Sequence, residues 1–324
     1  MNISVIITTY NRPNLFKRAL KAVKKQSYLL NEIIVVEDAS NSGINEWIED
    51  NFPEITYIKN KKNLGLAGSR NVGIRESKSD WIAFLDDDDE WMPNRLEEQV
   101  HCYKNLKPAE KESLSCIQCG AKKIDTKGYV TGIQLPINDG NLKESIKKHG
   151  ASTPSSSFLF QKKALENVGG FDERLASGID HDIWMKLAVA GYSTKALKKP
   201  LVIVREEPIT TMMTNTEKRI QGITQYIGKW EPTYVEWYGE ENGNKYAREY
   251  YSNVIGRLAG QKLAEHQFKQ FYIAIRSIWS VIGFDILLLS KTFNIVLKIY
   301  LVERITLIGK IVQRRKMRRH TIYL

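Results

Sequence analysis

Two clusters of carboxylates dominate the chemistry this sequence could perform. The first is Phe84-Leu85-Asp86-Asp87-Asp88-Asp89-Glu90-Trp91, four aspartates and a glutamate directly after an apolar run. Like charges this close raise one another's pKa and repel unless a cation neutralises them. A hard divalent ion, Mn2+ or Mg2+, meets that demand with oxygen ligands and keeps positions for water or phosphate. Most acidic runs are solvated turns, but here the apolar run before and Trp91-Met92-Pro93 after constrain the turn. The second cluster is Gly178-Ile179-Asp180-His181-Asp182-Ile183-Trp184-Met185-Lys186. Its aspartates fall where a helix begins, a position at which a carboxylate can also act simply as an N-cap.

Other candidates carry less. Cys116-x-x-Cys119 is half of a zinc pattern, but only Cys102 remains and no paired histidines follow, so a structural role is expected. Gly65-Leu66-Ala67-Gly68-Ser69-Arg70 lacks the Gly-Lys-Ser/Thr of a P-loop, and no G-x-G-x-x-G occurs, which argues against dinucleotide chemistry. The aromatic residues of Trp230–Tyr251 suit helix packing better than a ligand platform.

The elements that must position these groups alternate over the first 90 residues. Ile3–Thr8, Glu32–Glu37, Ile55–Ile58 and Trp81–Leu85 read as strands. Leu15, Ala19, Leu20 and Val23 recur at helical spacing, and Leu66–Glu76 reads as a helix opened by a glycine-rich turn. This alternation predicts parallel β-α-β crossovers, in which ligands bind beyond the carboxyl ends of the strands. Thr9-Tyr10-Asn11, Asp38 and Asp86–Asp89 all follow strands. Further on, Ser113–Lys123 and Tyr129–Leu135 read as a hairpin, Ser155–Gln161 as a strand, Asp180–Ala190 as a helix and Leu201–Val204 as a last strand. Beyond about residue 215 the pattern is helical, which sets an expected boundary between 1–215 and 216–324.

Val5-Ile6-Ile7-Thr8-Thr9-Tyr10-Asn11-Arg12, Ile33-Ile34-Val35-Val36-Glu37-Asp38-Ala39-Ser40, Asn63-Leu64-Gly65-Leu66-Ala67-Gly68-Ser69-Arg70-Asn71 and Phe84–Trp91 occur in that order. Together they resemble the inverting family-2 glycosyltransferases, over Ser4 to about Val204. The resemblance implies an α/β, GT-A nucleotide-sugar-binding domain followed by a helical C-terminal region. It also implies roles for residues: Thr9, Tyr10, Arg12 and Asp38 about the nucleotide base, with Asp38 accepting from the uracil ring N–H. Asn63 and Arg70 would approach the nucleotide, Arg70 as a fork for phosphate. Asp86 and Asp88 would form the Asp-x-Asp metal site, with Asp87 on the ribose or sugar. Asp180 would be the base that takes the acceptor hydroxyl's proton, although Ile179 and Lys186 depart from the family's usual acid and arginine.

The activity implied by the resemblance is transfer of one glucose- or galactose-type sugar from a UDP-sugar, with inversion. Family members of this layout build bacterial O-antigen or capsule on undecaprenyl-diphosphate carriers. The processive synthases' Gln-x-x-Arg-Trp motif is missing. Two rivals use similar residues: a metal-dependent nucleotidyltransferase and a non-catalytic nucleotide-sugar-binding protein.

Composition narrows the partners. At 42% hydrophobic and 26% charged, the 324 residues are ordinary for a globular protein, and three cysteines fit a reducing compartment. The Met-Asn-Ile-Ser-Val-Ile-Ile opening reads as a strand, without the basic and small-residue features of a signal peptide. The net charge is +11, and residues 301–324 hold seven Lys and Arg against Glu303 alone. Residues 278–302 are apolar but interrupted by Asp285, Lys291 and Lys298, so no run long enough to span a bilayer occurs. Apolar stretches followed by a basic cluster suit an anionic membrane surface. No stacking motif supports nucleic acid. The expected location is peripheral, at the cytoplasmic face of the cell membrane.

Overall fold

The computed structural model describes residues 1–150, 155–206 and 215–320, with side chains as far as residue 304. The chain divides into two compact units, Met1–Arg174 with Ile179–Ile209, and Leu175–Gly178 with Thr210–Leu324.

The first unit is built on one mixed sheet. Its strands are β1 (Ile3–Thr9), β2 (Glu32–Glu37), β3 (Thr56–Lys59), β4 (Trp81–Asp86), β5 (Asp89–Trp91), β6 (Leu114–Ile124), β7 (Val130–Gln134), β8 (Gly140–Asn141), β9 (Phe158–Gln161) and β10 (Ser193–Arg205). They lie in the order β3-β2-β1-β4-β9-β6-β10-β5, with β7 on β6 and β8 on β10. The first four are parallel, as the crossovers require. β9 then runs antiparallel to both β4 and β6, and β10 runs parallel to β6.

The helices of this unit are α1 (Pro13–Lys24), α2 (Ile44–Asn51), α3 (Gly65–Glu76), α4 (Arg95–Lys104), α5 (Pro108–Glu112), α6 (Leu142–His149), α7 (Lys162–Asn167) and α8 (Ile179–Val189). All seven residues of β1 are buried, because helices cover both faces. Ile3, Val5 and Ile7 join Phe16, Ala19, Leu20 and Val23 of α1 and Ile44 and Ile48 of α2 in one core. On the other face Ile6 meets α3, where a Cβ on Gly73 would stand 2.5 Å from its Cγ2. Only glycine lets the α3 backbone come that close.

Register sets the carboxyl ends of the strands side by side, with Thr9 opposite Glu37 and Thr8 opposite Asp86. Asn11 (φ 54°) and Ala39 (φ 57°) leave β1 and β2 in left-handed conformations. For alanine this costs about 1 kcal/mol or more. Asn11 N–H donates to Ser40 Oγ at 3.2 Å, tying the two strand ends together.

Three elements differ from the sequence expectation. Ser155–Ser157 form a 3-10 turn ahead of β9, where the Ser155 and Ser156 hydroxyls bond Asp86 instead of the segment joining a ladder. Asp89–Trp91 form a strand where a turn was expected, since they pair antiparallel with Val202–Val204. β10 is longer than Leu201–Val204, its polar first half being held by β6 through register shifts.

The second unit is helical: α9 (Thr216–Tyr238), α10 (Glu240–Ala264), α11 (Phe268–Ile282) and α12 (Ile286–His320). Glycines let helices close on α10. Cβ atoms added at Gly256 and Gly260 would meet Thr292, Ile295, Val296 and Ile299 of α12. The aromatic stretch is packing, as expected. Trp230, Tyr234, Trp237 and Tyr251 are buried, and the Tyr226 and Tyr234 hydroxyls lie 2.9 Å apart. No helix of the described residues is long and apolar enough to cross a membrane. The basic side chains from Lys310 to Arg319 lie outside the described residues.

Candidate active site

The two acidic clusters meet on one side chain. Arg70, on α3, is 1% exposed. Its Nη2 donates to Asp86 Oδ1 at 2.6 Å and its Nη1 to Asp180 Oδ1 at 2.8 Å. The guanidinium lies 5.3 Å from the Phe84 ring and 5.2 Å from the Phe171 ring. Burial alone would push its pKa down; Asp86 and Asp180 outweigh that and hold it charged, above its ordinary value. The fork expected to face phosphate is therefore spent on two carboxylates.

Neighbouring groups fix both arms. Asp86 Oδ2 accepts from Ser155 Oγ at 2.8 Å, and its N–H donates to Ser156 Oγ at 3.1 Å. Asn71 exchanges two 2.9 Å hydrogen bonds with the Phe171 backbone. Lys186 donates to the Gly170 carbonyl at 2.7 Å, anchoring α8 and with it Asp180. Asp180 Oδ1 is taken by Arg70, while Oδ2 accepts no hydrogen bond among the described residues. The Asp180 side chain is 31% exposed. One of its oxygens is anchored, and the side chain as a whole keeps access to solvent.

Asp87 and Asp88 form the second layer. Thr9 Oγ1 donates to Asp87 Oδ2 at 2.8 Å, and Arg12 Nη1 reaches Asp87 Oδ1 at 3.1 Å and Asp88 Oδ2 at 3.3 Å. Burial pushes the Asp87 carboxyl up to about 6, with Asp88 and Asp86 adding to it against Thr9 and Arg12. Asp88 is raised by burial and then by Asp86. Asp89, buried, is raised well above the ordinary carboxylate value by burial, Asp86 and Asp88. The charge repulsion expected from the sequence is present, but loss of water is the larger cause.

Asp38 and Asn63 lie in an adjoining group. Asp38 N–H donates to the Thr9 carbonyl at 2.9 Å. Its Oδ1 accepts from Leu64 N–H at 2.7 Å and Asn60 Nδ2 at 2.9 Å, and its Oδ2 from Gly65 N–H at 2.8 Å. Asp38 thus organises the start of α3, which carries Arg70. Asn63 is exposed and accepts from Gly65 N–H at 3.2 Å. Tyr10 stands 49% exposed beyond β1.

A divalent cation suits this site's chemistry. Asp86–Asp89 supply clustered oxygen donors, and a cation would relieve the raised pKa values of Asp87, Asp88 and Asp89. Asp88 and Asp86 are the accessible members, their side chains 25% and 28% exposed. Asp86 is already neutralised by Arg70. Among the described residues no three His, Cys, Asp or Glu side chains converge as a closed metal cage.

The family described as Glycosyl transferase family 2 matches residues 4–169, just over half of the chain. The chain belongs to this family. An uncharacterised glycosyltransferase of Haemophilus influenzae is 30% identical over 235 residues, covering 70% of this chain and 77% of that protein. The putative colanic acid biosynthesis glycosyl transferase WcaA of Escherichia coli is 28% identical over 249 residues, 70% of this chain and 80% of WcaA. Residues 1–349 of TarS from S. aureus, solved in complex with UDP-GlcNAc, share the fold with a TM-score of 0.64 at 16% identity, over 96% of this chain and 92% of that one. The mannosyltransferase PcManGT from Pyrobaculum calidifontis, in complex with GDP-Man and Mn2+, gives 0.51 at 20% identity, over 70% and 63%. The family and the α/β, GT-A-like fold with a helical C-terminal region agree with the sequence expectation.

Sequence reasoning missed the residues that hold this family-2 site together. Ser155 and Ser156 carry no charge or periodicity, so nothing in the sequence separates them from loop serines. Asn71 stands out only as the end of a motif, with no role attached to it. The signal for Arg70 was a polar run inside an expected helix: Ser69, Arg70 and Asn71 are all buried. Three such residues in succession on a short helix require partners on the protein itself.

Proposed function

We propose that this protein transfers a single glucose- or galactose-type sugar from a UDP-sugar to a hydroxyl of a lipid-linked, undecaprenyl-diphosphate saccharide, with inversion, in bacterial surface polysaccharide (O-antigen or capsule) synthesis. Residues 1–215 form the transferase domain and 216–324 a helical, basic region resting on anionic lipid at the cytoplasmic face of the cell membrane. The observation that carries the reading is the Arg70 bridge. A candidate metal-binding carboxylate and a candidate base, far apart in sequence, are held on one guanidinium. The nucleotide-sugar complexes of the TarS and PcManGT structures support the donor class, and WcaA supports the polysaccharide context.

In this reading Asp180 Oδ2 takes the acceptor hydroxyl's proton, while Arg70 fixes Oδ1 so that the carboxylate cannot rotate away. Thr9 and Arg12 orient Asp87 for the ribose. Tyr10, Asp38 and Asn63 border the base, Asp38 through oxygens it shares with the Leu64 and Gly65 amides. Asp88, with Asp86 behind it, would hold Mn2+ or Mg2+, which would supply Lewis-acid stabilisation for a departing diphosphate.

The test is UDP release by purified protein over a panel of UDP-sugars, with an N-acetylglucosamine-diphosphate-lipid analogue and Mn2+ or EDTA. Release with one donor, lost with EDTA and lowered roughly 10²- to 10⁴-fold in Asp180→Asn, is expected; Asp88→Ala loses it as well. Full activity in Asp180→Asn, or release of diphosphate instead of UDP, overturns the reading.

A further inference from the structure

The helical unit presents an apolar surface that sugar transfer does not use. Helix α12 is apolar on two opposite faces. Leu288, Thr292 and Val296 are buried on the side toward α10. On the other side Ile286, Phe293, Leu297 and Leu301 are exposed. Their separations of 7, 4 and 4 residues place them on one stripe, about 22 Å long. At its head the α11–α12 corner projects Phe284 (84% exposed) and Leu287 (78%), with the exposed Trp279 packed edge-on against Phe284 at 5.3 Å.

This corner is held in place. Gly283 leaves α11 at φ 63°, a conformation that favours glycine. Arg248 donates to the Ile282 carbonyl at 2.6 Å and pairs with Asp285 at 3.4 Å. Asp285 Oδ1 in turn accepts from Leu288 N–H at 3.0 Å, capping α12. Half-exposed polar groups thus fix a turn whose large apolar side chains are exposed.

Charge selects the occupant. Lys298 flanks the α12 stripe, Lys291 beside it pairs with Glu249 at 2.9 Å, and Lys269 and Arg276 are exposed on α11. Residues 266–324 hold eleven Lys and Arg against Asp285 and Glu303. A second copy of this chain would bring the same positive charge to the face, whereas acidic headgroups neutralise it. Exposed tryptophan, large aliphatic side chains and flanking lysines are the composition of a membrane-interface surface.

We infer that the α11–α12 corner and the outer stripe of α12 insert into the headgroup–acyl boundary of an anionic bilayer, with Phe284, Ile286 and Leu287 as the wedge and the flanking cations at the phosphates. This rests on the peripheral-membrane reading above and adds that apolar insertion, not charge alone, provides the hold. The test is co-sedimentation of the full chain with phosphatidylcholine vesicles, with and without phosphatidylglycerol, for wild type and Phe284→Ser/Leu287→Ser. Both changed side chains are largely exposed, and circular dichroism checks the fold. Wild type should bind the anionic vesicles, and the double variant should lose roughly tenfold in partitioning. Equal binding by both proteins, or none by wild type, overturns the inference. So does a wild-type dimer in the absence of lipid that the variant dissolves, which would make a second copy the occupant. Transfer to a water-soluble acceptor, measured on the same proteins, reports the catalytic reading separately: its absence in a wild type that binds vesicles condemns the transferase reading and leaves the wedge standing.

Discussion

Replacing Arg70 by methionine should uncouple the two halves of the site, and the structure sets the size of the effect. At an effective dielectric of about 20, unit charges 4 Å apart attract by about 4 kcal/mol, and Arg70 serves two carboxylates at 2.6 and 2.8 Å. Removing one partner of a buried pair costs about 3–5 kcal/mol. Asp86 and Asp180 keep 28% and 31% side-chain exposure, so water recovers part of the loss and about 3 kcal/mol is expected. With a typical slope for a protein of this size, that moves the urea midpoint by roughly 1 M. Arg70→Lys should keep much of the stability, since a charge remains, but one ammonium cannot hold two carboxylates as the fork does. Transfer by the lysine variant should therefore fall by about 10²-fold, the usual cost of a 1 Å misplacement. Equilibrium unfolding and UDP release, measured on the same samples, separate the two effects. A double-mutant cycle with Asp180→Asn makes the test strict. Singles that add within about 0.3 kcal/mol, or an Arg70→Met protein with the wild-type midpoint, would refute the coupling.

Two further outcomes concern the scaffold around the site. Gly73→Ala would place a Cβ 2.5 Å from Ile6 Cγ2 in a packed core and should destabilise by about 1–3 kcal/mol in urea, whereas an unchanged midpoint would mean that α3 is free to shift. Glu37 gives a pH dependence. Burial pushes its carboxyl up, but hydrogen bonds from Ser40, Ser42 and Tyr57 prevail and leave its pKa below the ordinary value. A depressed folded-state pKa adds stability above the unfolded value, and that stability is lost as pH falls through the folded one. Wild-type thermal midpoints should therefore drop below about pH 5 more steeply than those of Glu37→Gln; parallel curves would contradict this.

The fold was legible where burial is one-sided in its demands. β1, β2 and β4 are covered on both faces, so they appear as unbroken apolar runs that no amphipathic helix imitates. The hairpin of β6 and β7 was legible from its turn residues, Asp125-Thr126-Lys127-Gly128. β5 was not, because Asp89-Glu90-Trp91 has a poor strand composition and owes its conformation to pairing with Val202–Val204, over 100 residues away. The polar start of β10 was hidden for the same reason, its lysines satisfying no local pattern.

The site divides along the same physical line. Carboxylates advertise themselves, because a cluster of like charges is costly enough that its presence already implies a neutralising partner. The identity of that partner is not local. Arg70 lies 16 residues from Asp86 and 110 from Asp180, and the motif carrying it offered phosphate as the natural acceptor for its fork. What decides otherwise is burial: a guanidinium 1% exposed between two phenylalanine rings must spend its donors on anions the protein itself supplies. Arg70 Nε even lies without a hydrogen-bond partner among the described residues, so both carboxylates answer to the same two Nη groups. An arginine whose motif suggests a donor contact here holds two carboxylates. A cation that neutralised Asp86 from the donor side would compete with Arg70 for that carboxylate and leave the guanidinium more fully to Asp180, which makes the two ends of the site a single electrostatic unit.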